Sequence, residues 1–144
     1  MPTSNPRAFI SFDFDHNETE KHLFIGQSRH SKTPFNIEDW SSKVALAQSV
    51  WEAKIEEKIN KSNLLIVLVG KNTYRATGVT KEIDFAIEQN VPFFGVYVDG
   101  ADVTTTLPAG LARNRVIGWN WNDIAAAVDQ MMTEKKNKKI ARYL

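Results

Sequence analysis

Five short apolar runs punctuate the chain: AFISF at residues 8–12, PFNI at 34–37, NLLIVLVG at 63–70, PFFGVYV at 92–98 and RVIGW at 115–119. Each has the length of a strand, and β-branched and aromatic side chains are frequent in them. The third run shows no alternation of apolar and polar positions. A strand covered on both faces reads this way, so it is predicted to lie at the centre of a sheet. Between the runs, apolar residues recur at helical spacing. The clearest such segment spans residues 42–60, where Val44, Ala47, Trp51, Ile55 and Ile59 share a face and Glu52, Lys54, Glu56 and Glu57 fall largely off it. Further helices are predicted over residues 18–28, 79–90 and 122–133.

Strands that alternate with helices imply a parallel sheet covered on both faces, because right-handed crossovers carry the connections over one side or the other. The predicted fold is α/β: a flavodoxin-like three-layer sandwich with a five-stranded parallel sheet in the order 2-1-3-4-5. Residues 1–144 then form a single domain, with an N-terminal arm at 1–7 and a basic C-terminal tail at 134–144. Ligands of such sheets bind beyond the carboxyl ends of the strands, where the strand order reverses. The segments SFDFDHNE after the first strand and GKNTYRATG after the third are therefore where a site is expected.

Composition narrows the chemistry. A chain of 144 residues is long enough to bury about 70% of the surface it exposes when unfolded, without help from disulfides or metal. It contains no cysteine, which excludes a disulfide framework, a thiolate nucleophile and a Cys-ligated zinc site; a reducing, cytoplasmic setting is the expectation. Eighteen basic residues balance seventeen acidic ones, so no global field draws the protein to DNA or to an anionic membrane, and neither is expected as a partner. No apolar stretch approaches a membrane span, and MPTSNPRAF at the N-terminus lacks the apolar core of a signal peptide. The one biased run, EKKNKKIARYL, reads as a solvated, frayed last helical turn.

The loop after the first strand carries Asp13, Asp15, His16 and Glu18 and no glycine. A phosphate cradle needs glycines and hydroxyls there, so that backbone amides can approach the anion; these acids repel one. A phosphoacceptor site on the same fold needs an aspartate at the end of strand three and a lysine after strand five, where Val69-Gly70 and Trp119-Asn120 stand instead. Asp13, Asp15 and His16 have no further cation ligands in evident reach, and His16, His22 and His30 lack zinc spacing. No metal is expected, and the histidines read as surface residues.

Glu82 is different. On a helical wheel Val79, Ile83, Ala86 and Ile87 define an apolar face, with Lys81, Asp84 and Glu88 roughly opposite it; Glu82 lies within about 60 to 70° of the apolar centre. Two readings of that position are open: an acid favoured in the first turn by the helix dipole, or a half-buried functional carboxylate at the sheet's carboxyl edge. The loop FNIEDWSSK after strand two adds weight to the second. It places Asp39 and Trp40 beside the first loop, so that aromatic surface (Phe12, Trp40), acids able to hold ribose hydroxyls (Asp13, Asp39) and one half-buried carboxylate suit a nucleoside better than a bare phosphate.

Four blocks in order, FISFDFDHNE, FNIEDWS, LLIVLVGKNTYRATGVTKEI and VPFFGVYV, give the chain a resemblance to bacterial TIR-like domains, close to the TIR proteins of Thoeris anti-phage defence. The resemblance covers nearly the whole chain. It implies an enzyme that cleaves NAD between nicotinamide and ribose, with Glu82 in VTKEI as the essential glutamate and with Phe12 and Asp13 lining the nucleotide pocket. Ser11, Tyr74 and Thr77 complete the substrate-binding set expected with Asp39 and Trp40. Many relatives carry a Trp four residues before the glutamate; Gly78 stands here, leaving Trp40 or Tyr74 to offer an aromatic surface.

Such a site can be sparse, because nicotinamide leaves as a neutral group from a cationic nitrogen and needs no acid to protonate it, whereas ordinary glycoside hydrolysis uses two carboxylates. NAD is then the substrate and no cofactor is expected. Attack by water, an internal hydroxyl or an outside nucleophile would give ADP-ribose, a cyclic isomer or a conjugate. The resemblance further implies a phage-derived trigger, a diffusible nucleotide signal that activates a separate effector, and self-association of the domain. Two other functions fit the same pattern: a non-catalytic TIR assembly module, and an enzyme like the nucleoside deoxyribosyltransferases, which use a glutamate on another N-glycoside.

Overall fold

The computed structural model describes residues 6–30, 35–38 and 48–134. The chain runs β1 (Arg7–Ser11), α1 (Glu18–His30), β2 (Asn36–Glu38), α2 (Gln48–Lys61), β3 (Leu64–Val69), α3 (Thr77–Glu88), β4 (Phe93–Tyr97), β5 (Val116–Ile117) and α4 (Trp121–Glu134), with short 3-10 turns at Thr73–Arg75 and Arg113–Arg115. All five strands are parallel and lie in the order β2-β1-β3-β4-β5. This is the α/β, flavodoxin-like arrangement that the alternating pattern predicts. The expected helix start at 42–47, the residues Asp39 and Trp40, and nearly all of the N-terminal arm and basic tail lie outside the described residues. Among the described residues no helix is long and apolar enough to cross a membrane.

β3 is central, and all six of its residues are buried. Its side chains alternate between two cores. Leu64, Ile66 and Leu68 pack with Phe24 of α1 and Ile124 and Met131 of α4; Leu65, Val67 and Val69 pack on the other face with Ile55 and Ile59 of α2 and Val79 and Ile83 of α3. Each such fully buried aliphatic side chain contributes about 1.5 to 3 kcal/mol relative to exposure. The same alternation along β1 sends Phe9 to the α2 and α3 side and Ile10 to the α1 and α4 side.

Two boundaries differ from the sequence reading for identifiable reasons. α3 ends at Glu88, not at residue 90, because Asn90 takes a left-handed conformation (φ 59°) and the chain closes with Val91 N–H donating to Ala86 O at 2.8 Å and Asn90 N–H to Ile87 O at 3.3 Å. That is a Schellman cap. β5 shrinks to two residues, since the 3-10 turn at Arg113–Arg115 occupies the start of the predicted run.

Candidate active site

α3 begins just beyond the carboxyl end of β3, and its buried residues are Val79, Glu82, Ile83 and Ala86. Ile87, expected on the buried face, is 42% exposed. With Ile87 removed, the buried stripe shifts around the helix toward Glu82, which is only 6% exposed. A carboxyl is thus held among apolar residues where the next helix positions of like charge, Asp84 and Glu88, face solvent.

The partner that meets it comes from the neighbouring strand. Ser11, fully buried at the end of β1, donates its hydroxyl to Glu82 Oε1 at 2.5 Å. β1 and β3 are the strands between which the sheet order reverses, so the pair sits at the switch point where ligands of this fold bind. Burial pushes the Glu82 carboxyl up to about 8 from an ordinary value of 4.5, because desolvation penalises the charged form; the Ser11 hydrogen bond offsets part of that rise. A carboxyl in this state is mostly protonated at neutral pH and becomes an anion when a positive charge approaches it.

The other expected site residues divide. Asp13 is 5% exposed and already engaged: Oδ1 accepts the Asp15 N–H at 3.0 Å and Oδ2 lies 2.7 Å from His16 Nδ1. Phe12 belongs to the core on the opposite face of the sheet from Ser11, 7% exposed, with its ring 4.5 Å from that of Phe14. This corrects the expectation that Phe12 presents an open aromatic surface: strand alternation turns it toward α1. Tyr74 is half-buried, and its hydroxyl accepts from Arg75 Nε at 2.8 Å. Thr77 is exposed at the first position of α3. Asp39 and Trp40 lie outside the described residues. His16 and His22 are exposed, as read from the sequence, and His16 is in addition tied to Asp13.

Three features near Glu82 escape the sequence patterns. The first is Trp51 of α2, whose six-membered ring stands 3.7 Å from where a side chain on Gly78 would begin. Gly78 is one turn before Glu82 on α3, so an aromatic ring from the neighbouring helix covers that position. The α2–α3 contact is fixed further along by Lys81 Nζ to Glu52 Oε2 at 3.3 Å and Gln89 Nε2 to Glu56 Oε2 at 3.1 Å.

The second is a buried polar link between the two loops at the switch point. Gly70 N–H donates to Thr73 Oγ1 at 2.8 Å, and Thr73 Oγ1 lies 3.4 Å from Asn17 Oδ1. Asn17 and Thr73 are both essentially inaccessible. A Cβ on Gly70 would fall 2.5 Å from Asn17 Oδ1, so any larger residue there forces the buried Asn17 amide to shift. Asn17 could have been suspected from sequence alone: it directly precedes α1, where a short polar residue is the preferred cap. The third is the Asp13–His16 pair itself. No group of three or more His, Asp or Glu side chains among the described residues gathers as a metal site.

Among solved structures, the chain is similar to a prokaryotic SEFIR domain, with 18% identity over 89% of this chain and 90% of that one and a TM-score of 0.53. It is also similar to the 2-deoxyribosyltransferase of Bacillus psychrosaccharolyticus, with 16% identity over 96% of this chain and 99% of that one and a TM-score of 0.53. At these identities both establish the fold alone. No curated protein matches. The family described as the Thoeris protein ThsB, TIR-like domain, matches residues 9–102, from β1 through the loop beyond β4, and the chain belongs to that family.

Proposed function

We propose that this protein is an NAD-consuming enzyme of Thoeris defence, which cleaves the bond between nicotinamide and ribose and makes an ADP-ribose-derived signal, cyclic or conjugated, for a separate effector. The observation that carries the reading is Glu82: a carboxyl buried at the switch point, held by the hydroxyl of Ser11 and raised to about 8 by desolvation. Catalytic carboxyls are often strongly perturbed by burial in this way. In the reaction, the Glu82 carboxylate holds ribose hydroxyls and offsets positive charge growing on the sugar as nicotinamide departs. Removing an electrostatic contribution of this kind typically costs about 10²- to 10³-fold in rate. Substrate NAD and a phage-derived trigger are the partners this reading calls for, and cytoplasm is its setting.

The test is mass spectrometry of the nucleotides formed from NAD by the wild type and by Glu82→Gln, with and without phage infection extract and at high as well as low protein concentration. Release of nicotinamide by the wild type and its loss in the variant is the expected result. Intact NAD in every wild-type sample rejects the reading. A second reading draws on the likeness to a 2-deoxyribosyltransferase, in which a buried glutamate would act on a deoxynucleoside. The same assay supplied with deoxynucleosides and a free base distinguishes it, since base exchange then replaces nicotinamide release. A non-catalytic TIR assembly module is the other alternative, and it fails if Glu82→Gln abolishes defence while leaving assembly intact.

A further inference from the structure

The Asp13–His16 pair has the form of an orienting acid behind a working imidazole. Asp13 is withdrawn into the protein, its side chain 6% exposed, whereas the His16 side chain is 53% exposed. The two carboxylate oxygens have separate tasks. Oδ1 accepts the Asp15 N–H and shapes the turn, and Oδ2 is left for His16 Nδ1 at 2.7 Å. A helix-capping role for Asp13 is met without the imidazole: its backbone oxygen accepts from the N–H groups of His16 and Asn17 at 3.2 and 2.7 Å, closing the turn that starts α1. The histidine bond is additional to that.

Its consequence is a fixed tautomer. A carboxylate accepting from Nδ1–H leaves Nε2 with a free lone pair, which is the arrangement in which histidine serves as a base. The pair lies in the loop that follows β1, two to five residues beyond the Ser11 that holds Glu82, and the adjacent Asn17 touches Thr73 of the β3–α3 turn. The imidazole is thus carried, exposed to solvent, by the loop that leaves β1 at the switch point where Ser11 meets Glu82.

We infer that His16, oriented by Asp13, is the general base that activates the nucleophile attacking the ribose. This rests on the function proposed above. In the step, the bond from the ribose anomeric carbon to the nicotinamide nitrogen breaks and its electron pair neutralises that nitrogen. A lone pair of the acceptor, a water, hydroxyl or amine, forms the new bond, and the acceptor's proton passes to His16 Nε2. Asp13 acts as a positioning residue and takes no part in the bond changes. Glu82 and His16 thus divide the work: one stabilises the sugar cation, the other prepares the group that captures it. A general base contributes about 10²- to 10⁴-fold.

The experiment compares NAD turnover by the wild type, His16→Ala and Asp13→Asn, with and without sodium azide, and records the imidazole ¹⁵N spectrum of His16. Azide is an anion with no proton to lose, so it bypasses a missing base but not a missing Glu82. The expected result is a fall in kcat of about 10²-fold or more in His16→Ala, restored by azide with formation of a ribosyl azide. His16 of the wild type should show the Nδ1-protonated tautomer, lost in Asp13→Asn. Wild-type turnover that is unchanged in His16→Ala overturns the inference and leaves the proposed function standing. An Nε2-protonated tautomer in the wild type overturns it too, whatever the turnover. A wild type that leaves NAD untouched rejects the proposed function and this role with it.

Discussion

Ser11 and Glu82 are 71 residues apart in sequence, and the hydroxyl of one donates to the carboxyl of the other at 2.5 Å inside the protein. Because burial raises Glu82 to about 8, a cation that binds beside it must draw off a proton below that pH. The affinity for NAD, whose nicotinamide ring is cationic, is expected to rise by up to about tenfold per pH unit from 6 toward 8 and then level off. NADH, with an uncharged ring, should show a much weaker dependence. Titration calorimetry across this range, in buffers of different ionisation enthalpy, measures both the affinity and the proton released. Ser11→Ala removes the hydrogen bond that lowers the carboxyl's pKa and should shift the rise to higher pH.

The same carboxyl affects stability in the opposite direction. In the unfolded chain Glu82 ionises near 4.5, whereas the folded protein holds its proton up to about 8. Between these values the native state binds more protons than the unfolded one, so the contribution is fully present below 4.5 and is lost progressively as pH rises through 8. Glu82→Gln keeps the hydrogen-bonding shape without the titration. It is expected to raise the melting temperature by several degrees at pH 7 to 8, corresponding to at most about 3 kcal/mol at pH 7, and to change it little near pH 4. Paired thermal melts at the two pH values check this.

Gly78 offers a test of packing. A methyl group there would meet the Trp51 ring at 3.7 Å, an ordinary van der Waals contact, and the backbone is not left-handed. Gly78→Ala should therefore stabilise the protein, by up to about 1 kcal/mol, because alanine favours the helix. Gly78→Trp should lower stability unless combined with Trp51→Ala, since both rings claim one space. Denaturant titrations of the two single variants and the double variant show whether the effects depend on each other.

The link between the switch loops gives a further prediction. Thr73→Val keeps the size of the side chain and removes the acceptor of the buried Gly70 N–H, for an expected loss of about 1 to 3 kcal/mol. Gly70→Ala should also destabilise, because the new Cβ displaces the Asn17 amide that meets Thr73. Chemical denaturation measures both. Amide exchange should become faster at Gly70 in Thr73→Val.

How much of this was legible beforehand depended on the kind of signal. Unbroken apolarity in β3 revealed a doubly covered strand, and the alternation of strands with helices implied a parallel sheet, whose order 2-1-3-4-5 the structure shows. Glu82 stood out because a helix has one period, against which a misplaced charge is visible. Phe12 was misread because a period of two, applied from Phe9 and Ser11, puts it on the other face; its closeness in sequence to Asp13 said nothing about direction. Ile87 lies on the apolar side of the wheel yet is 42% exposed in the last turn of α3, next to its cap, which a helical period alone does not show. Trp51 over Gly78, and Asn17 beside Thr73, are contacts between elements, and no local pattern in one element announces its neighbour.

The long separation between Ser11 and Glu82 also sets when the site can exist during synthesis. β1 leaves the ribosome well before its central neighbour β3, some fifty residues further on, and α3 follows that. The carboxyl acquires its hydroxyl partner only when the non-local pairing of β1 with β3 has formed, a late event because loop closure must precede the contact. A nascent or partly folded chain leaves Glu82 in water as an ordinary carboxylate. The site then comes into being with the completed fold, and a half-made copy carries no functional carboxyl of this kind.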